Sequence, residues 1–411
     1  SASMDVEFKK VDAGLICFAL IRISPHRRCS MSPLDNALDR VLEPVTTARG
    51  LPNAHYVDRE TFEREKQAVF FKNWAGIGFG KDVPESGDAR PVDFLGQPLL
   101  LLRDRKGDVR VYMNVCRHRG MILVDAPCKI EGVIRCPYHS WAYGTDGRLA
   151  ATPHVGGPDC NAHDEIKRDE LGLIEVRTHV WQDVIFVNIS GDAPAFEVYA
   201  ADLIARWQEF DKPLHHGGPD SSFALDVACN WKLAVENYCE SYHLPWVHPG
   251  LNTYSRLEDH YNINEYGRFS GQGTCVYNPK LDDSGRSFTN FEGLSEQWDS
   301  GAEYIALYPN LLLGVHRDHV FAILLEAIDP STTRERVEIY YAAAESTGEA
   351  MADLREKNAV QWKGIFVEDI FVVEGMQKGR HAIGFDGGKF SPVMDGPTHC
   401  FHHWIASQYT R

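Results

Sequence analysis

Two pairs of cysteine and histidine are the residues of this sequence best suited to chemistry. His118 follows Cys116 by two positions, His139 follows Cys136 by three, and seventeen residues separate the pairs. Thiolates and neutral imidazoles are metal ligands. Two loops that each supply one thiolate and one imidazole can close around a metal centre. The spacing therefore predicts a metal site built from two loops.

The residues around these pairs favour one of two metal centres. A Rieske [2Fe–2S] cluster takes thiolates on one iron and imidazoles on the other, with a potential of about −150 to +300 mV that suits one-electron transfer. A structural zinc ion would accept the same ligand types in a tetrahedron. The stretch Cys-Pro-Tyr-His-Ser-Trp at 136–141 is narrower than a general zinc pattern and favours the cluster.

A second candidate site lies at 230–248, which we expect to form a helix that Pro245 ends or bends. On this helix Glu236, Glu240 and His243 fall at i, i+4 and i+7, which places them on one face, and His248 follows. Two imidazoles and one carboxylate with open coordination positions form the Fe(II) centre that activates O₂. The alternative is a pair of histidines that only make hydrogen bonds.

The carboxylate for such a centre must come from elsewhere in the chain. Residues 349–380 are expected to form one long helix, in which Glu368 and Asp369 interrupt the apolar run 365–373. Acidic residues are seldom buried without a partner or a metal ion, so this pair is the best candidate, although Glu374 and Gln377 lie one to two turns further on.

Composition excludes some classes of function. The chain has 411 residues, a net charge of −16 and a pI near 5.6, which argues against nucleic acid and is compatible with a cationic ligand. Ten scattered cysteines are expected to remain reduced, which favours a cytoplasmic location. The apolar segment 13–23 is too short to span a bilayer and contains Arg22, so no membrane contact is expected.

Hydrophobic patterning predicts an α+β protein with four segments. Residues 1–44 form an N-terminal extension, and 45–73 contribute a helical part of the catalytic domain, with a helix at 58–73 capped by Asp58. Short strands and turns at 74–190 predict an all-β domain that carries the cluster loops. Residues 191–411 are expected to form the catalytic domain, in which an antiparallel sheet and helices surround a mononuclear iron.

From about residue 45 onward the sequence resembles the α subunits of Rieske non-haem iron oxygenases. The resemblance rests on the cluster motif and on Glu-Asn-x-x-Glu-x-x-His-x-x-x-x-His at 236–248. It implies that Cys116, His118, Cys136 and His139 hold the [2Fe–2S] cluster. It also implies that His243, His248 and Asp369 hold the iron, with Glu368 as the alternative carboxylate.

The resemblance also implies a route for electrons. Family members place an acidic residue, here Glu240, between the iron ligand His243 and the cluster ligand His139 of a neighbouring subunit in a head-to-tail homotrimer. Most members have Asp at this position. The glycines at 76–80 lack a dinucleotide-binding fingerprint, so a separate reductase that uses NAD(P)H is expected as partner.

The stretch 240–250 is most similar to the family branch that acts on quaternary ammonium compounds. This similarity implies a monooxygenase that removes an N-methyl group as formaldehyde from stachydrine (proline betaine), carnitine or glycine betaine. Aromatic faces bind such cations, and the candidates for the pocket are Tyr304, Tyr308, Phe321, Trp362 and Phe366. The rival functions are an aromatic-ring hydroxylating oxygenase and a non-enzymatic Rieske electron carrier.

Overall fold

A computed structural model describes residues 37–281 and 285–409. Its helices are α1 (Ala54–Val57), α2 (Arg59–Glu65), α3 (Phe196–Tyr199), α4 (Ala201–Arg206), α5 (Trp231–Tyr238), α6 (Leu244–Val247), α7 (Ala352–Gly379) and α8 (Gly396–Tyr409). Its strands are β1 (Ala75–Phe79), β2 (Asp88–Phe94), β3 (Gln97–Arg103), β4 (Val109–Met113), β5 (Cys128–Lys129), β6 (Ile134–Arg135), β7 (Ala142–Tyr143), β8 (Leu149–Ala151), β9 (Glu175–Trp181), β10 (Val184–Asn188), β11 (His215–His216), β12 (Ser222–Val227), β13 (His260–Ile263), β14 (Phe269–Thr274), β15 (Ala302–Leu307), β16 (Leu311–Val315), β17 (His319–Asp329) and β18 (Thr332–Tyr341).

The strands between residues 75 and 188 form two sheets that position the cluster loops. The larger sheet has the order β1-β10-β9-β4-β3-β2-β5, and the smaller is the antiparallel meander β6-β7-β8. The first cluster loop follows β4, and the second lies in the β6-β7 hairpin. The strands of both sheets lie between Ala75 and Asn188.

The second part of the structure, which follows β10, is built around an eight-stranded antiparallel sheet. Its strand order is β11-β18-β17-β16-β15-β14-β13, with β12 paired to β18. The side chains of β17 alternate as strand geometry requires. Phe321 and Ile323 join the same core cluster as Trp362 of α7, whereas Ala322 and Leu324 join a second cluster on the other face. Both faces are therefore covered, and the α+β class is confirmed.

The helical segment before β1 belongs to the core of this second part. Asp58 caps α2 by accepting a hydrogen bond from the Thr61 amide at 2.7 Å, as expected, and the chain continues as a π-helix over Lys66–Phe71. Phe70 is buried, and its ring centroid lies 4.9 Å from that of Trp231 on α5. This contact packs the helical segment against α5.

The expectation of one helix over 230–248 is wrong. Helix α5 ends at Tyr238, and a turn separates it from α6, which has Pro245 in its first turn. The Glu240 carboxylate accepts hydrogen bonds from the backbone amides of Tyr242 and His243 and stabilises this turn. Glu236, Glu240 and His243 therefore do not share one helical face.

Strands β9 and β10 form a hairpin, in which Gln182 and Asp183 adopt positive φ angles of 51° and 60° and reverse the chain. The long C-terminal helix is confirmed as α7, preceded by a short 3₁₀ turn at Glu349–Met351.

The structure shows the state of the cysteines and the character of the helices with respect to a membrane. The eight cysteines within the described ranges are free thiols. Among the described residues, no helix combines the length and the apolar character needed to cross a bilayer. The apolar segment 13–23 lies outside the described residues.

Candidate metal centres

The two cluster loops bring the four predicted ligands together at the end of the β domain. The thiols of Cys116 and Cys136 are buried, while His118 and His139 are exposed, with ring centroids 4.8 Å apart. The indole of Trp141 stacks on the His118 ring at 4.8 Å and 10°. An inner thiol pair and an outer imidazole pair are the arrangement that a [2Fe–2S] cluster requires.

Tight turns hold each loop in place. The amides of Gly120 and Ser140 donate to the carbonyls of Cys116 and Cys136, respectively, at 3.0 and 3.1 Å. Both donors lie in left-handed conformations, with φ of 75° and 55°, so the first position favours glycine. Burial raises the pKa of the Cys116 thiol, and a bound cation is what would favour its thiolate form.

The mononuclear site brings together three side chains from two distant segments. His248 Nε2 lies 3.0 Å and His243 Nε2 lies 3.7 Å from the same oxygen of Asp369. One ligand atom from each residue lies within 4.8 Å of the others. Asp369 Oδ1 is buried without a well-aligned hydrogen-bond donor, which fits a metal ligand better than a hydrogen-bonded carboxylate.

Two glutamates orient the imidazoles of this site. Glu240 Oε1 lies 2.7 Å from His243 Nδ1, and Glu368 Oε2 lies 2.8 Å from His248 Nδ1. A partner on Nδ1 leaves Nε2 directed at the metal position, as is usual for metal-binding histidines. Glu368, the alternative ligand, therefore contacts the back of His248, while Asp369 faces both Nε2 atoms.

The other acidic and histidine candidates lie elsewhere. Glu374 and Gln377 accept hydrogen bonds from the amides of Ala228 and Asn230, and so anchor the start of α5. Glu236 is buried and accepts a hydrogen bond from the Tyr56 hydroxyl. His402 Nε2 lies 3.1 Å from Glu236 Oε1.

A cavity of about 480 Å³, measured with its open mouth, leads to the mononuclear site. Four of the five aromatic residues proposed from sequence line it: Tyr304, Phe321, Trp362 and Phe366. The fifth, Tyr308, packs against Phe401 and Trp404 instead. Ser255, His260 and Gln272 supply a polar side to the same cavity, linked by hydrogen bonds of 3.0 and 2.8 Å.

Sequence reasoning missed Glu335, which lies on β18 and lines a second cavity with Asp369. Burial, together with the nearby charge of Asp369, raises the pKa of Glu335 to about 8. A residue in an alternating strand gives no local signal of such a position, because its neighbour on α7 is more than thirty positions away in the sequence.

Glu335→Gln should stabilise the iron-free protein at pH 8 more than at pH 5. The unfolded glutamate ionises above a pKa of about 4.5, whereas the folded one stays protonated up to about 8. The free energy of unfolding of the wild type therefore falls as the pH rises through this window, by at most about 1.4 kcal/mol per pH unit. Urea unfolding at both pH values measures the difference, with the exposed Glu349→Gln as control. An equal effect of Glu335→Gln at both values would contradict the assignment.

Comparison with known proteins agrees with both centres. Residues 73–167 match the model of the Rieske [2Fe-2S] domain, and residues 214–411 match the ring hydroxylating alpha subunit (catalytic domain). The chain is 28% identical over 341 residues to the carnitine monooxygenase oxygenase subunit of Escherichia coli K12, covering 82% of this chain and 86% of that relative.

Solved structures share the same fold. A quaternary ammonium Rieske monooxygenase in complex with L-carnitine superimposes with a TM-score of 0.70 at 22% identity, over 90% of this chain and 98% of the other. Naphthalene 1,2-dioxygenase from Rhodococcus sp. gives a TM-score of 0.73 at 18% identity, over 93% and 99%.

The fold and the two centres define an oxidoreductase that combines a Rieske [2Fe–2S] domain with an O₂-dependent mononuclear iron domain. The chain belongs to the Rieske non-haem iron oxygenase family, as an α subunit.

Proposed function

We propose that this protein is a monooxygenase that oxidises an N-methyl group of a small quaternary ammonium compound. In this proposal Cys116, His118, Cys136 and His139 hold the cluster. His243, His248 and Asp369 hold the mononuclear iron. When bound, the cluster supplies single electrons and the iron supplies the position at which O₂ is activated.

The observation that carries the substrate class is the aromatic wall beside the iron ligands. Trp362 lies with its ring centroid 4.6 Å from that of Phe321 and 5.8 Å from that of Phe366. A methylated ammonium group is held at an aromatic face by about 0.5 to 2 kcal/mol per contact, and it cannot be held by hydrogen bonds of its own. This wall therefore suits a cationic head placed near the iron.

The polar side of the cavity suits the other end of a betaine. Ser255 and His260 form a hydrogen-bonded pair at 3.0 Å, with Gln272 on the second nitrogen of the imidazole at 2.8 Å. The Ser255 hydroxyl can turn its proton from His260 Nε2 to a carboxylate, whereas an arene offers it no acceptor. Stachydrine, carnitine and glycine betaine all carry a carboxylate and a quaternary nitrogen, and similarity to a carnitine monooxygenase supports this class.

The reaction follows from the chemistry of a hydroxylated N-methyl group. Substrate, O₂, two electrons and two protons give N–CH₂OH and water. The C–N bond then breaks with its electron pair going to nitrogen, which yields the tertiary amine, formaldehyde and a proton. Because the sequence has no recognisable dinucleotide fingerprint, a separate NAD(P)H-dependent reductase is proposed as the electron source.

We also propose that electrons cross between subunits of a homotrimer. Trp246 beside the iron site is 70% exposed, and Tyr138 beside the cluster ligand His139 is 55% exposed. Exposed aromatic residues at both centres are suited to an interface. Glu240 already contacts His243 of its own chain, and it would complete the path by contacting His139 of the next.

The test is formaldehyde release from a substrate panel. Iron-loaded protein, a reductase system, O₂ and one of stachydrine, carnitine, glycine betaine or naphthalene are incubated together. We expect formaldehyde equal to the loss of one betaine, and none with the Asp369→Ala variant. Arene hydroxylation without formaldehyde would instead identify a ring-hydroxylating oxygenase, and electron uptake without any substrate loss would identify a carrier.

A further inference from the structure

We infer that Asp318 and His319 polarise and position Trp362, and thereby set the preference of the iron cavity for a cationic ligand over a neutral one of the same shape. Neither residue lines that cavity. The inference rests on the proposed function, since it concerns how the same pocket selects its substrate class.

The hydrogen bonds run in one direction from the indole to the carboxylate. Trp362 Nε1 donates to His319 Nε2 at 3.0 Å, and His319 Nδ1 lies 2.6 Å from Asp318 Oδ1. An indole N–H is only a donor, so His319 Nε2 must be the acceptor. The proton of a neutral His319 is therefore on Nδ1 and is donated to Asp318.

The fold holds this chain behind the cavity wall. Asp318 and His319 lie where the β16–β17 hairpin enters β17, and the His316 amide donates to the His319 carbonyl at 3.0 Å. The ring of His316 stacks on that of His319 at 4.3 Å and 7°. His316 Nε2 in turn lies 3.2 Å from the hydroxyl of Tyr304, so the hairpin contacts two aromatic residues of the wall from the side away from the ligand.

Packing leaves Trp362 little freedom. Its side chain is buried, with 2% exposed. Tyr277 stacks on it at 5.8 Å and 14°, and Phe366 at 5.8 Å and 25°. The hydrogen bond to His319 fixes the remaining in-plane orientation, because it anchors one edge of the indole.

The electrostatic consequence is a more electron-rich indole. An imidazole that donates to a carboxylate is a stronger acceptor, and hydrogen bonds in such a chain polarise one another. A donor N–H that gives more of its proton leaves more negative charge on the ring, which strengthens the attraction of a cation for the part of the indole that lines the cavity. The charge of Asp318 adds to the same effect.

In the ion pairs found among residues 37–281 and 285–409, Asp318 is paired with His319. Two arginines, Arg286 and Arg317, line a cavity next to this pair. Arg317 donates to the carbonyl of Asp299, and Arg286 forms an ion pair with Asp353. The Asp318 carboxylate therefore acts on Trp362 through its contact with His319.

The experiment compares choline with its neutral carbon isostere, 3,3-dimethylbutan-1-ol, by calorimetric titration of the iron- and cluster-loaded protein. The wild type should bind choline more tightly than the alcohol. Asp318→Asn keeps the shape and should weaken choline about 5- to 10-fold, within the range of one cation–π contact, while the alcohol changes less than about 2-fold. His319→Gln should act in the same direction, and Asp318→Glu should restore most of the preference.

Each result decides between the possible roles. Equal weakening of both ligands by Asp318→Asn, or no change in either, would overturn the inference, since a merely structural role does not distinguish charge. Such a result leaves the proposed function standing if the wild type still prefers choline. A wild type without any preference would overturn both the inference and the proposed cationic substrate. Iron content and the cluster spectrum, measured on every variant, should remain at wild-type values.

Discussion

Asp369→Ala should abolish turnover and remove the mononuclear iron while leaving the absorption spectrum of the cluster unchanged. Asp369 supplies the only carboxylate oxygen that faces both His243 and His248 in the described site. Removal of a residue that only orients a ligand typically costs about 10- to 100-fold in metal affinity or activity, so loss of the ligand itself should cost more, about 10³-fold or beyond. Iron analysis, visible spectra and formaldehyde release measure the three quantities.

Two other carboxylates on α7 provide matched controls. Glu368→Gln removes the charge behind His248 and should lower activity by about 10- to 100-fold with partial iron loss. Glu374→Gln changes a carboxylate that accepts from the Ala228 amide, a bond that the amide oxygen of Gln retains, and should leave iron content intact. An Asp369→Ala protein that keeps its iron and turns over normally would refute the ligand assignment.

The sequence predicted both centres because their residues occur in short, chemically narrow patterns. Cys116 to His139 fall within 24 positions, and the two iron histidines are five apart. Asp369 was harder to predict as a ligand because α7 is more than 100 positions from His248. Only its acidic character within an apolar run singled it out. The structure shows that Phe366 and Val373 of this run are buried where α7 packs on α5 and β12, whereas Val367 and Phe371 are exposed.

The wrong expectation at 230–248 also has a local cause. Helical spacing placed Glu236, Glu240 and His243 on one face, but the Glu240 carboxylate binds backbone amides just ahead and turns the chain after α5. Short acidic side chains that compete for backbone hydrogen bonds favour such turns, and glutamate does so only in a suitable context. Helical periodicity alone could not indicate this competition.

Side chains that act from behind the site were beyond sequence reasoning. His319 reaches Trp362 across 43 positions, and Glu335 reaches the region of Asp369 from a neighbouring strand. Neither belongs to a motif, and each is significant only because β17 and β18 face α7. Patterns of ligands can be read along the chain, whereas the residues that orient and polarise them depend on the packing of sheet against helix.

Mixing two inactive variants should restore activity if electrons cross between subunits. Cys136→Ser should lose the cluster and keep the iron, and Asp369→Ala should do the reverse, so each alone is expected to be inactive. In a head-to-tail ring assembled at random from equal amounts, a donor cluster precedes a working iron at about one contact in four. The co-expressed mixture should therefore reach about a quarter of the wild-type rate. No recovery, in mixtures shown to contain both chains in one oligomer, would argue for transfer within a chain.

The same mixture locates the contribution of Glu240. Its carboxylate contacts His243 of its own chain at 2.7 Å, so it must belong to the subunit whose iron works. Glu240→Gln placed in the Cys136→Ser chain should therefore lower the recovered activity by about 10-fold or more. The same substitution in the Asp369→Ala chain should leave recovery unchanged, because that subunit donates only its cluster. Equal loss from both placements would mean that Glu240 acts on folding or assembly, and unequal loss in the expected direction assigns it to the path between cluster and iron.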